Sequence, residues 1–144
     1  MAISQTTCTS FKLQLLKAEH DFEAHTFRIA LYSSTASLGA DTTVYSTANE
    51  ITNTTGTAYT AGGKPLTVTS TFPKTSGTTA IVDFDNISWT DASFTARGAL
   101  IYNASASNKA VAVLDFGSDR VASDSTFEIQ FPVADATSAI IRIA

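Results

Sequence analysis

The sequence predicts a mainly β protein: a single-domain antiparallel β-sandwich with one short N-terminal helix, a jelly roll being among the topologies it admits. Three observations carry this. Residues 94–116, FTARGALIYNASASNKAVAVLDF, hold two strand-like runs joined by a small polar turn at 103–108, which reads as a β-hairpin. Alternating apolar runs bounded by turn residues recur along the chain and make about seven or eight strands, the signature of a sandwich. The 23 threonines and 16 serines favour strands, turns and a neutral hydroxyl surface. At 144 residues the chain has the length of one domain able to bury a core without staples.

In chain order, residues 1–25 form an N-terminal arm and helix. Ser10 is placed to cap it, and Phe11, Leu15, Ala18 and Phe22 recur at helical spacing, with Leu13 and Leu16 widening the stripe toward a sheet or a neighbouring subunit. No Gly or Pro marks its end. HTFRIALY (25–32) is the first strand, alternating at Phe27, Ile29 and Leu31. Residues 33–63 are a long loop region too sparse in apolar side chains to build core. A short strand or helical turn is expected within it, the remainder being surface or a partner-facing arm. Leu66, Val68, Ser70 and Phe72 alternate as a strand, and Ser76-Gly77 marks a turn after Pro73.

Ala80, Val82 and Phe84 share one face, while Ile87 and Trp89 carry the opposite parity, so a bulge or a break between two strands falls near Asp85 and Asn86. Residues 91–93 resemble a turn into the hairpin. Its first strand sets Phe94, Ala96, Gly98, Leu100 and Tyr102 on one side; its second is apolar on both sides from Ala110 to Leu114, as a central or doubly covered strand is. Residues 117–125 read as a loop, FEIQF as a strand presenting Phe127, Ile129 and Phe131, and SAIIRIA as the last strand. Leu100, Leu114, Phe127 and Ile129 are the predicted core.

The totals narrow the function. A net charge of −4 argues against nucleic acid, whose phosphates need clustered Lys and Arg. Cys8 is the single cysteine, so no disulfide forms within the chain. No apolar run approaches a membrane span, and the opening MAISQTTCTS lacks the basic and apolar regions of a signal peptide, which leads us to expect a soluble protein made in a cytoplasm.

No constellation commits to chemistry. Residues 19–25 gather Glu19, His20, Asp21, Glu23 and His25, but a spacing of five points the two imidazoles apart on a continuing helix, unlike a metal-binding HExxH pair. Asp83 and Asp85 would share a strand face as an acid–base or calcium pair, yet nothing nearby completes a site, and solvent-facing strand residues explain them more simply. Asp115-Phe116-Gly117 and Gly62-Gly63-Lys64 match a kinase DFG and the end of a phosphate loop without the required context. Asn53, Asn86 and Asn103 head formal glycosylation triplets, coincidences in a hydroxyl-rich chain. Arg97 is set to pair with Asp83, Asp115 or a partner's carboxylate. Tyr32, Tyr45, Tyr59, Trp89 and Tyr102 would, if exposed in a row, suit a carbohydrate-binding module. Catalytic residues, cofactors and structural metal are therefore not expected.

Four segments, HTFRIALY (25–32), YTAGGKPL (59–66), FTARGALIYN (94–103) and VLDFG (113–117), together with FKLQLL (11–16), resemble a family of small tailed-bacteriophage structural proteins across most of the chain and in the same order. The resemblance implies a non-enzymatic virion protein made in the host bacterial cytoplasm. Its implied role is capsid decoration, or cement, with the major capsid protein and further copies of itself as partners. A tail or fibre component is the alternative it leaves, beside the carbohydrate-binding module.

Overall fold

The computed structural model describes residues 2–51, 58–68 and 72–144. It is mainly β, with one short helix and two antiparallel sheets in a single compact domain. In order, the elements are β1 (Thr6–Thr7), α1 (Thr9–Leu16), β2 (Phe27–Tyr32), β3 (Lys64–Pro65), β4 (Lys74–Ser76), β5 (Thr79–Val82), β6 (Ile87–Asn103), β7 (Lys109–Ile129) and β8 (Ile141–Ile143). The larger sheet runs β1-β7-β6-β2-β3 and the smaller β4-β5-β8. Sequence neighbours β6 and β7 lie side by side at the centre of the larger sheet, and this order does not supply the jelly-roll refinement of the sandwich.

The hairpin is the frame. Leu100 faces Val113 and Tyr102 faces Ala110 across β6 and β7, while β2 pairs along the other edge of β6 from Phe27↔Asn103 to Tyr32↔Gly98. Leu100, Leu114, Phe127 and Ile129 are buried, as predicted. Both hairpin strands are longer than their alternation suggested. Residues 91–93 and 117–125, read as turn and loop, lie inside β6 and β7, where register shifts absorb the irregularity. Asp91, Gly117 and Asp124 take positive φ there, so the turn-forming residues make bulges in a continuing ladder. The break near Asp85 and Asn86 does separate two strands, β5 and β6.

Aromatic rings tie the layers together. Phe22 stacks on Phe27 at 4.3 Å, and both lie about 6.4 Å from Phe84, which follows β5 of the smaller sheet. Val82, Phe84 and Ile141 join the main core, whereas Ile81 points the other way into a small cluster with Phe72 and Ala139. Ala80 is exposed, so only Val82 and Phe84 of the expected face are core. Of the strand expected around Leu66, the described residues show Lys64–Pro65 as β3, Leu66 buried and Val68 bridged to Phe84; Ser70 lies outside them.

The N-terminal helix is shorter than its periodicity implied and differently capped. Cys8 is the N-cap residue; Ser10 lies within the helix, its buried hydroxyl without a partner. The helix stops after Leu16 because Ala18 adopts a left-handed φ of 59°. The Glu19 amide then donates to Gln14 O (3.0 Å) and the Ala18 amide to Leu15 O (3.1 Å), a Schellman closure with alanine where glycine is usual. Phe22 reaches the core from the following loop. Phe11 is buried, but Leu13 and Leu16 are 56% and 88% exposed, so they do not widen a buried stripe.

The described residues of 33–63 are not a loose arm. Ala36, Ile51 and Tyr59 are buried with Glu50, and the Ile51 amide donates to Leu31 O at 2.9 Å, extending the ladder beyond β2. Val44 and Glu50 form bridges with Lys109 and Tyr32. The expectation that this stretch takes its order from a partner is therefore corrected: its described residues pack into the domain's own core.

Candidate functional site

The four tyrosines of the chain converge on one place. Glu50, 6% exposed, accepts from Tyr45 OH (2.7 Å), Tyr59 OH (2.5 Å) and the Gly62 amide (2.7 Å). Tyr59 OH in turn accepts from the Leu31 amide at 2.9 Å. Tyr102 OH donates to Gly62 O, and the Arg28 guanidinium donates to the carbonyls of Gly62 and Gly63. Gly63 is required here: its φ is +72°, and a Cβ would lie 1.7 Å from Ile29 O. Tyr45 stacks on Tyr102 at 4.5 Å, and Tyr32 OH bonds Ser46 O. Burial and the neighbouring Glu50 push the Tyr32, Tyr45 and Tyr59 hydroxyls above their ordinary range. These groups satisfy one another and hold the loop on the sheet. Tyr32, Tyr59, Trp89 and Tyr102 are at most 2% exposed, so they do not make the open aromatic row that carbohydrate recognition needs.

The two histidines do meet, contrary to the helical-spacing argument, because the helix ends before them. Asn103, fully buried at the hairpin tip, donates through Nδ2 to His20 Nδ1 (3.0 Å) and His25 Nδ1 (2.9 Å). Its Oδ1 accepts from the Ser105 amide, which fixes the orientation of the carboxamide. His20 Nε2 donates to Gln14 Oε1 at 2.8 Å, so Nδ1 is the accepting nitrogen and the ring is neutral. Burial first, then the Lys109 ammonium, lower the His20 pKa. This is a clamp between the N-terminal arm and the hairpin. No cluster of three or more His, Cys, Asp or Glu side chains with metal-binding spacing occurs among the described residues.

Asp83 and Asp85 do not form a pair. Asp83 is 2% exposed, with Oδ1 accepting from the Phe84 amide (2.9 Å) and Oδ2 without a partner, whereas Asp85 is exposed. Arg97 pairs with Asp115 at 3.2 Å. The Gly117 amide first, then Arg97, hold the Asp115 carboxyl below its usual range. The DFG segment is thus a bulge cap, and Lys64 bonds Ser88 O and lies over the Trp89 ring. Asn86 accepts from the Phe131 amide, and Asn53 lies outside the described residues.

One outward-facing surface is apolar. Between α1 and β8 runs a groove of about 310 Å³ lined by Thr7, Phe11, Lys12, Leu15, Leu16 and all three residues of β8. Its lips are Leu16 and Ile143, 88% and 56% exposed. Sequence reasoning singled out Leu16 as packing on a sheet or a neighbouring subunit, of which the sheet does not cover it, and found neither Glu50 nor the role of Asn103. A lone carboxylate flanked by Tyr45 and Tyr59 in a neutral stretch was the available signal for the first.

No protein-family model, curated protein or solved structure matches the chain. No helix among the described residues is long and apolar enough to cross a membrane.

Proposed function

We propose that this chain is a non-enzymatic structural protein of a bacteriophage particle that decorates the head by binding the major capsid protein. The observation that carries the binding part is the α1/β8 groove, where exposed apolar side chains gather beside a strand edge that no described strand pairs. The described polar clusters support the same reading, because Glu50, the tyrosines, the histidines and Arg97 have structural partners and do not converge on an open pocket. The assignment to a phage head rests on the resemblance of the segments at 11–16, 25–32, 59–66, 94–103 and 113–117.

Immunogold labelling of purified phage particles with an antibody to this chain tests the reading. Gold on the heads is the expected result. Gold on tails or fibres moves the protein to the alternative site, and particles free of label overturn the virion role.

A further inference from the structure

We infer that the α1/β8 groove is a strand-addition site for an extended apolar segment carrying carboxylates, presented by the partner protein. The inference rests on reading the chain as an interaction protein and adds the chemistry of what it grips. Successive side chains of a strand point to opposite faces, so a groove that touches Ile141, Arg142 and Ile143 in succession runs along the edge of β8 and not over one face. Among the described residues that edge is open, since β8 is the end strand of its sheet and no described strand but β5 pairs with it. Thr7, on the facing side, belongs to β1, the end strand of the other sheet. The channel therefore lies between the edge of β8 and the segment that joins β1 to α1, with Phe11, Leu15 and Leu16 of α1 along one wall. An extended chain can pair its backbone with β8 and set alternate apolar side chains against that wall.

Charge selects the occupant. Lys12 and Arg142 are the ionisable residues of the lining, which contains no carboxylate although the whole chain carries −4. The Arg142 guanidinium also donates to Thr137 O. A second copy added symmetrically through β8 would set the two Arg142 side chains across from each other, a like-charge pairing that disfavours self-addition. A segment with acidic residues beside its apolar ones meets both cations.

The test uses the isolated protein and a fluorescein-labelled synthetic peptide, Glu-Val-Thr-Val-Thr-Val-Glu, with Lys-Val-Thr-Val-Thr-Val-Lys as its charge-reversed counterpart, read by fluorescence anisotropy. The acidic peptide should bind saturably and lose affinity with added salt. It should bind about tenfold or more tighter than the lysine peptide, and about tenfold or more tighter than it binds to Leu16→Glu or Ile143→Lys. Leu16 is exposed enough that its replacement leaves the fold intact, and Val121→Glu, at an exposed site on β7, should leave binding unchanged. The inference is overturned by absent binding, by equal binding of both peptides, or by binding that Leu16→Glu leaves unchanged. A dimer in sedimentation velocity that Leu16→Glu dissolves also overturns it, in favour of a second copy. Because no particles enter the assay, its failure leaves the location on the virion standing, and unlabelled particles leave the groove standing.

Discussion

The Asp83 carboxyl lies inside the domain with one oxygen bonded to the Phe84 amide and the other unpaired, and burial raises its pKa. A carboxyl whose folded pKa exceeds its unfolded value of 3.8 binds its proton more tightly in the native state. Its contribution to stability is complete below that value and is lost as pH rises through the raised one. Above the unfolded value the buried carboxyl therefore weakens the native state. Asp83→Asn keeps the acceptor for Phe84 and removes the charge. The variant should be more stable than the parent by about 1–3 kcal/mol at pH 7 in urea denaturation, with the gain gone near pH 3. A variant less stable at pH 7, or a gain equal at both pH values, would show that Asp83 is compensated in some other way.

At the scale of elements, what the sequence made legible is what periodicity encodes. The hairpin strands, with the 127–129 end of β7, and β2 announce themselves by alternation, because a half-buried strand must place apolar residues two apart. The described residues of 33–63 stayed illegible because their order comes from hydrogen bonds that no periodicity encodes: Glu50 with Tyr45, Tyr59 and Gly62, and Tyr59 with Leu31. The helix end was hidden for a related reason, since Ala18 occupies a left-handed position that glycine would have advertised. Of the groove, Phe11, Leu15 and Leu16 were legible as helical positions; that α1 would leave Leu16 uncovered beside β8 is a matter of tertiary placement. If Glu50 anchors the loop, Glu50→Ala leaves buried donors without their acceptor and should cost about 2–4 kcal/mol. Hydrogen exchange should then show the Ile51 and Gly62 amides losing protection while the paired amides of β6 and β7 keep theirs. Retained protection at Ile51, with a cost under about half a kcal/mol, would mean that the loop is held by its apolar contacts alone.

Across the whole molecule, the Asn103 amide helps to join the N-terminal arm to the hairpin tip, and that junction makes the assembly sensitive to mild acid. Asn103 Nδ2 can donate to His20 and His25 only while both Nδ1 atoms accept, and Thr26 is tied to the same tip through Ser105 Oγ and the Ala104 amide. Burial and Lys109 hold His20 below its ordinary value of 6.5, so the unfolded chain takes up this proton before the native state does. Stability is then complete above about pH 6.5 and declines as pH falls through that value toward the lowered one, by up to about 1.4 kcal/mol per pH unit. The other ionisable groups near the ring are His25 and the Glu19–Lys109 ion pair at 3.1 Å. Asp115 and Asp135 also weaken the native state in acid, but they do so below about pH 4, because their folded values lie under 3.8. His20→Asn supplies an acceptor for Asn103 without a titrating ring. It should be less stable than the parent at pH 7.5, having lost the packing of the imidazole 4.8 Å from Phe11, yet show a flatter profile between pH 7.5 and 5. Urea midpoints measured across that window decide the matter. A parent whose midpoint does not move, or a His20→Asn variant that keeps the parent's full slope, would remove His20 as the group through which acid loosens the arm from the hairpin.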